Sequence, residues 1–208
     1  MEMKLAEKII VNSFFWNFPI KHIFLPNIFE MAGKKGIRDD TGKAGVQPCG
    51  KILEVGCGRG KTTKLINAHF KNSQILAIDF DLTQVQKAKS RDNNKNIEFR
   101  QMDATNLDFK NNSFDAAFSF NALHHIKNYP LALREIFRVL KKCGCFYVMD
   151  LTKAFFYPFF HFFAPAEAYF SKEEFLGKIE KAGFRIEEIR GGSRIVYAKA
   201  LKYSESLI

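Results

Sequence analysis

Three carboxylates and two histidines stand at or near the ends of short apolar runs, in an order that fits one ligand. Glu54 lies in Ile52-Leu53-Glu54-Val55, directly before a loop carrying Gly56, Gly58 and Gly60. Asp79 closes the run from Gln74 to Ile78, 23 residues after Gly56, and Asp103 follows a third run that begins at Ile97. His124 and His125 follow a fourth, Phe114 to Phe120, through Asn121-Ala122-Leu123. Glycines between a buried strand and a helix let a ligand approach the backbone closely. A carboxylate at a strand end can accept both hydroxyls of a ribose, and a second can accept from an exocyclic amine such as adenine's. For Asp79 the competing role is a helix N-cap, which Asp81 or Thr83 is better placed to fill. An imidazole titrating near neutral pH can serve as a general base; it can equally pack or shape a pocket.

Those side chains meet only if the strands that carry them lie side by side. Residues 51–55 read as a first strand, followed by a helix over about 60–69. Residues 74–79 form a second strand, and Leu82, Val85 and Ala88 then recur at helical spacing. Residues 97–100, 114–120 and 145–149 give three more strands. Between the last two, Leu133, Ile136, Phe137 and Leu140 make an amphipathic stripe with Pro130 near its start. Ser171-x-x-Glu174 reads as a capping box opening a helix that Gly183 closes. Residues 184–190 and 194–200, joined at Gly191-Gly192, must run antiparallel. The expectation is an α/β fold: a doubly wound, seven-stranded, mostly parallel sheet with an antiparallel C-terminal strand.

Three ligands compete for the glycine loop. A dinucleotide fingerprint wants glycine at its first, third and sixth positions; counted from Gly56 the sixth is Lys61, and Gly60 comes one residue early. A phosphate-binding loop ending in Gly60-Lys61-Thr62 needs glycine where Val55 stands. Glu54-Val55-Gly56-Cys57-Gly58-Arg59-Gly60 resembles instead the E/D-x-G-x-G-x-G motif of class I methyltransferases that use S-adenosylmethionine (SAM). Asp103 to Asp115 resembles D-A-x-x-L-P-F-x-D-x-S-F-D of the ubiquinone/menaquinone-biosynthesis type of small-molecule methyltransferase, with Asp108 for Pro and Asn111 for Asp. Asn121 to His125 resembles the stretch ending A-L-H-H that in this family sits under the SAM methionine and faces the substrate. Leu131 to Gly144 resembles A-L-x-E-x-x-R-V-L-K-P-G-G, with Lys142 and Cys143 replacing Pro and Gly.

The resemblance covers about residues 51–150 and implies a Rossmann-like methyltransferase fold with SAM as cofactor and S-adenosylhomocysteine as product. It places Glu54, Gly56, Cys57, Gly58, Gly60, Asp79, Phe80, Asp103, Ala104 and Asn121 at the cofactor. His124 is then the candidate base and His125 the second choice. Arg59 and Lys61 either meet the SAM carboxylate or are solvated. No metal is expected: Cys49, Cys57, Cys143 and Cys145 form no C-x-x-C and lack a matching His cluster. The N/D-P-P-Y/F of amino-methyltransferases acting on DNA bases is absent, which makes nucleic acid the weaker partner.

At 208 residues the chain suits a single domain: residues 1–50 as an N-terminal lid segment, 51–150 as the SAM-binding core and 154–170 as an aromatic substrate-lid insert. Ala154 to Phe170 holds seven Phe and two Tyr, and residues 14–29 add five more Phe and the one Trp. Two such covers point to a small, apolar acceptor. They equally allow peripheral membrane contact, helped by the net charge of +10, or mutual packing. The longest apolar run is 13 residues with two prolines, too short to span a bilayer, and no signal core is visible, so a cytoplasmic location is expected. Two alternatives stand beside the small-molecule enzyme: an RNA methyltransferase, drawn by the positive charge, and a SAM-fold membrane or partner-binding module without catalysis.

Overall fold

The computed structural model describes Glu30, residues 50–154 and residues 170–203. Most of the two proposed lid segments therefore lies outside the described residues. The element order is β1 (Lys51–Val55), α1 (Lys61–His69), β2 (Gln74–Asp79), α2 (Leu82–Lys89), β3 (Ile97–Gln101), β4 (Phe114–Phe120), a short 3₁₀ turn (Leu123–His125), α3 (Tyr129–Val139), β5 (Leu140–Leu151), α4 (Lys172–Lys181), β6 (Phe184–Arg190) and β7 (Ile195–Lys202). They build one seven-stranded sheet in the order β3-β2-β1-β4-β5-β7-β6. β1 to β5 are parallel, and β7 runs antiparallel to both β5 and β6. The expected fold class is the one observed.

β1 is central because four of its five residues are buried, which only a strand covered on both faces requires. Alternation along the strands sorts the core into two layers. Leu53, Val55, Ala117 and Val148 pack with Leu133 and Ile136 of α3 and Phe175 and Ile179 of α4. Ile52, Ala77, Phe118 and Tyr147 share the opposite layer with Ile66 of α1 and Val85 and Ala88 of α2. Each buried Leu, Ile or Phe contributes about 1.5–3 kcal/mol, so the helices are held by their stripes more than by their termini. The N-cap of α2 is Asp81, whose side chain accepts from the Thr83 amide, which leaves Asp79 for another role. At α4 both bonds of the capping box between Ser171 and Glu174 are made.

The start of β5 differs from expectation. Leu140, read as the last residue of the α3 stripe, is the first of β5. It pairs with Phe114, after which the register shifts and pairing resumes at Ala116 with Cys145. Residues 141–144 bulge out between, with Cys143 at φ 61° in the left-handed region that glycine favours. This is where the chain departs from the family pattern, which has glycine there. Among the described residues, no helix is long and apolar enough to cross a membrane.

Candidate active site

The chain runs outward from β1 through β2 to β3, then returns to place β4 on the other side of β1. That reversal opens a crevice at the carboxyl ends of β1 and β4, the place where open α/β sheets bind ligands. The glycine loop lies at its edge. Gly56, Gly58 and Gly60 have φ of 79°, 51° and 74°, and an L side chain at any of them would cost about 1–2 kcal/mol. The amides of Gly56 and Cys57 both donate to Ile78 O at 2.9 Å, and Gly60 N–H donates to Cys57 O at 3.0 Å.

Glu54 is only 1% exposed and sits beneath this loop rather than open to it. Its oxygens accept from the hydroxyls of Thr62 and, at 2.5 Å, Thr63, so it ties β1 to the first turn of α1. The sequence reading missed both threonines, whose signal was their place in that first turn. Cys57 is buried, and burial pushes its thiol far up, so it is an inert wall of the loop.

Asp79 braces the loop from β2. Its Oδ2 accepts from Gly58 N–H at 2.8 Å and its Oδ1 from Asp81 N–H at 2.9 Å. Burial raises its pKa, and these amides partly offset the rise. A carboxylate oxygen has two lone pairs, so both atoms keep capacity for a ligand. Phe80 follows with its side chain 73% exposed, the most open large apolar residue described. Met102 N–H donates to Asp79 O at 3.0 Å, which draws Asp103 to the same strand end. Asp103 is exposed; its Oδ1 accepts from the amide and hydroxyl of Thr105, both at 2.8 Å, and its Oδ2 meets no partner among the described residues. Ala104 is buried behind it.

The loop that carries Asp103 is fastened from α3. Arg138 reaches Leu107 O at 2.8 Å, Phe109 O at 2.6 Å and Glu135 Oε2 at 2.7 Å, and Leu107 N–H donates to Glu135 Oε2 at 2.9 Å. Hydrogen bonding to Arg138 holds the Glu135 carboxyl below its usual range. The Glu and Arg of the A-L-x-E-x-x-R motif are thus braces of the acidic loop.

On the β4 side, Asn121 takes φ 53° and donates its amide to Met149 O at 2.8 Å. Its side-chain Oδ1 is buried and has no hydrogen-bond partner among the described residues. The adjacent Ala122 packs where a side chain at Gly56 would have to go. His124 is 3% exposed and its Nδ1 donates to Oδ1 of Asp150 at 2.5 Å. Asp150, fully buried at the end of β5, also accepts from the amides of Leu123 at 2.9 Å and His124 at 3.3 Å through Oδ2. Sequence reasoning stopped β5 at Met149 and missed this residue; a lone acid closing an apolar strand was its signal. The His125 ring lies 3.9 Å from that of His124, and the residue is exposed while its ring nitrogens are partly desolvated. That desolvation, then His124, push its pKa down, so His125 is neutral at pH 7. Among the described residues no cluster of His, Cys, Asp or Glu is arranged to hold a metal ion.

Thus Asp79, Phe80, Asp103, Asn121, His124 and His125 stand at or just past the carboxyl ends of β2, β3 and β4, the same end of the sheet as the glycine loop, while Glu54 and Cys57 are buried at the loop and Ala104 behind Asp103. Residues 53–148 match the methyltransferase domain family. The chain is 29% identical over 124 residues to a ubiquinone/menaquinone biosynthesis C-methyltransferase of Desulfotalea psychrophila, covering 58% of this chain and 50% of the relative. It is 34% identical over 117 residues to the cycloartenol-C-24-methyltransferase of Arabidopsis thaliana, covering 53% of this chain and 34% of the relative. It therefore spans half the length or less of these two relatives. A SAM-dependent methyltransferase of Aquifex aeolicus has the same fold, with a TM-score of 0.64, 22% identity and coverage of 76% of this chain and 84% of that one. Residues 53–148 of this chain thus carry the methyltransferase domain pattern, on a fold that solved SAM-dependent methyltransferases share.

Proposed function

We propose that this chain is a SAM-dependent methyltransferase acting on a small, hydrophobic or lipid-like acceptor. The observation that carries the cofactor assignment is the set of acceptors around the glycine loop: Asp79, with Oδ2 of Asp103 and the buried Oδ1 of Asn121, both without a partner among the described residues. SAM is rich in donors, with ribose hydroxyls, an adenine amine and an ammonium, and carries no phosphate. A phosphate-bearing ligand would instead face the carboxylates of Asp79 and Asp103. The residues fit SAM: Asp79 would take the ribose, Phe80 would offer a flat apolar face to the adenine, Asp103 would accept from the adenine amine and Asn121 from the ammonium.

Bound there, SAM would supply an electrophilic methyl group on a sulfonium centre. Holding an acceptor in line with it can supply about 7–11 kcal/mol without any further group. Where the acceptor starts protonated, a base adds about 10²–10⁴-fold. Asp150 suits His124 to that task. By accepting from Nδ1–H it fixes the ring's orientation and the tautomer whose lone pair is on Nε2. His125, exposed and neutral, would line the acceptor's path.

The acceptor class draws support from the relatives, named for ubiquinone/menaquinone biosynthesis and for cycloartenol. Phe170, the last residue of the aromatic insert, is buried and stacks on Phe175 with ring centroids 4.3 Å apart. That anchors one end of the insert in the core beside β5. Membrane contact through the aromatic segments, in a cytoplasmic setting, belongs to the same proposal. The test is a methyl-transfer screen with labelled SAM against a lipid and metabolite extract. Label should enter an organic-extractable product and be lost in Asp79→Ala. Label entering RNA alone, or no transfer by a protein that binds SAM, would sink the acceptor assignment.

A further inference from the structure

Glu54 holds a carboxyl group out of water without a cation to balance it. Its two oxygens face the hydroxyls of Thr62 and Thr63, and no Lys, Arg or His pairs with it among the described residues. The groups around it are few. From α1 come the two threonines, from β2 the carboxylate of Asp79, from the loop the thiol of Cys57, and from β4 the apolar register neighbour Phe118. The loop's cations are Arg59, whose Nε donates to Gln84 Oε1 at 3.2 Å, and Lys61 at the start of α1. Two carboxylates therefore flank one glycine loop, and hydroxyls and backbone amides are their only described donors. Taking a carboxylate out of water beside a like charge favours its neutral form. Burial pushes the Glu54 pKa up to about 7, against the lowering by the two threonines and with a further rise from Asp79.

A cation arriving over the loop interacts favourably with ionised Glu54 and gains nothing from the neutral acid. We propose that SAM binding at the Gly56–Gly60 loop is coupled to ionisation of Glu54, so that binding expels a proton to solvent and tightens as pH rises. The inference rests on the cofactor assignment above and adds a property that assignment does not require. Its sign follows from linkage. A ligand that lowers a group's pKa is bound better by the deprotonated form, so affinity climbs until the pH passes the pKa of the free protein. Between pH 5.5 and 7 the ligand's own amine, with a pKa of about 7.7–8.0, stays charged, so the protein's carboxyls are the groups that respond.

The experiment is calorimetric titration of the full chain with SAM at several pH values from 5.5 to 7, each in two buffers of different ionisation enthalpy. With a free-protein pKa of about 7, release of about 0.5–0.9 proton per SAM is expected at pH 6–7, and Kd should fall up to about 16-fold from pH 5.5 to 7. Glu54→Gln should abolish the release and flatten Kd against pH. A wild-type protein that binds SAM with no proton release overturns the inference while leaving the cofactor assignment intact. Release that persists in Glu54→Gln also overturns it, since the proton then comes from another group. If Glu54→Gln does not fold, Thr62→Val takes one donor from the carboxylate and should move the half-release pH upward; an unmoved value overturns the inference. Absence of SAM binding at every pH overturns the cofactor assignment and this inference together.

Discussion

Gly56→Ala is expected to destabilise the protein by about 2–5 kcal/mol, and the structure separates the two causes. Gly56 holds φ 79°, where an L residue costs about 1–2 kcal/mol in backbone strain. An added Cβ would lie 2.2 Å from Cβ of Ala122, a contact that forces the loop and the β4 end apart. Overpacking of this kind costs about 1–3 kcal/mol. Ala122→Gly in the same chain removes the collision and leaves the strain, so the double variant should recover about 1–3 kcal/mol relative to additivity. Urea denaturation followed by circular dichroism, with an unchanged slope, measures each corner of the cycle. SAM affinity should fall in Gly56→Ala and return in part with Ala122→Gly. A Gly56→Ala protein as stable as wild type, or a cycle with no coupling, refutes the close approach of loop and β4 on which the site rests.

Three further outcomes follow from particular contacts. Asp150→Asn replaces the acceptor of His124 Nδ1–H, so kcat toward a protic acceptor should drop about 10²–10⁴-fold while KM for SAM changes little; steady-state kinetics decides, and an equal loss in SAM affinity would make Asp150 purely structural. Arg138→Ala leaves Leu107 O and Phe109 O without their side-chain donor and the Glu135 carboxylate with the Leu107 amide alone, which should cost about 1–3 kcal/mol. Faster hydrogen exchange at the Leu107 amide would report the loosened acidic loop, and unchanged exchange would count against the brace. Ser171→Ala removes the N-cap of α4 and should cost about 1 kcal/mol in thermal or urea unfolding, with no effect on SAM binding.

The parts of the fold that the sequence made legible are those where periodicity and punctuation agree. β1 and β2 end at a glycine run and an aspartate, and both boundaries match the structure. Asp81 rather than Asp79 caps α2 because an N-cap must directly precede the helix, which spacing alone tells. Leu140 was ambiguous because it completes a helical stripe and also starts a buried strand. Without the usual Pro-Gly at 142–143, the turn carried no marker, and Cys143 takes the left-handed conformation instead. Glu54 matched a motif position, but only the fold of α1 back onto β1 shows that Thr62 and Thr63 occupy its oxygens. Asp150 was invisible as a partner of His124 because the contact spans 26 residues and depends on β4 and β5 pairing in register. The Phe-rich segments were legible as composition alone, and most of them lies outside the described residues.

A donor-rich, phosphate-free cofactor is expected between the glycine loop and Asp79. Calorimetric titration of SAM into the wild type and Asp79→Asn at pH 7.5 tests it most directly. The asparagine keeps a carbonyl oxygen for the Gly58 amide but removes the charge and the acceptor of the Asp81 amide. Saturable one-to-one binding by the wild type is predicted, weakened at least about tenfold in Asp79→Asn, or about 1.4 kcal/mol. Equal affinity in the two proteins, or no binding by the wild type, would contradict it.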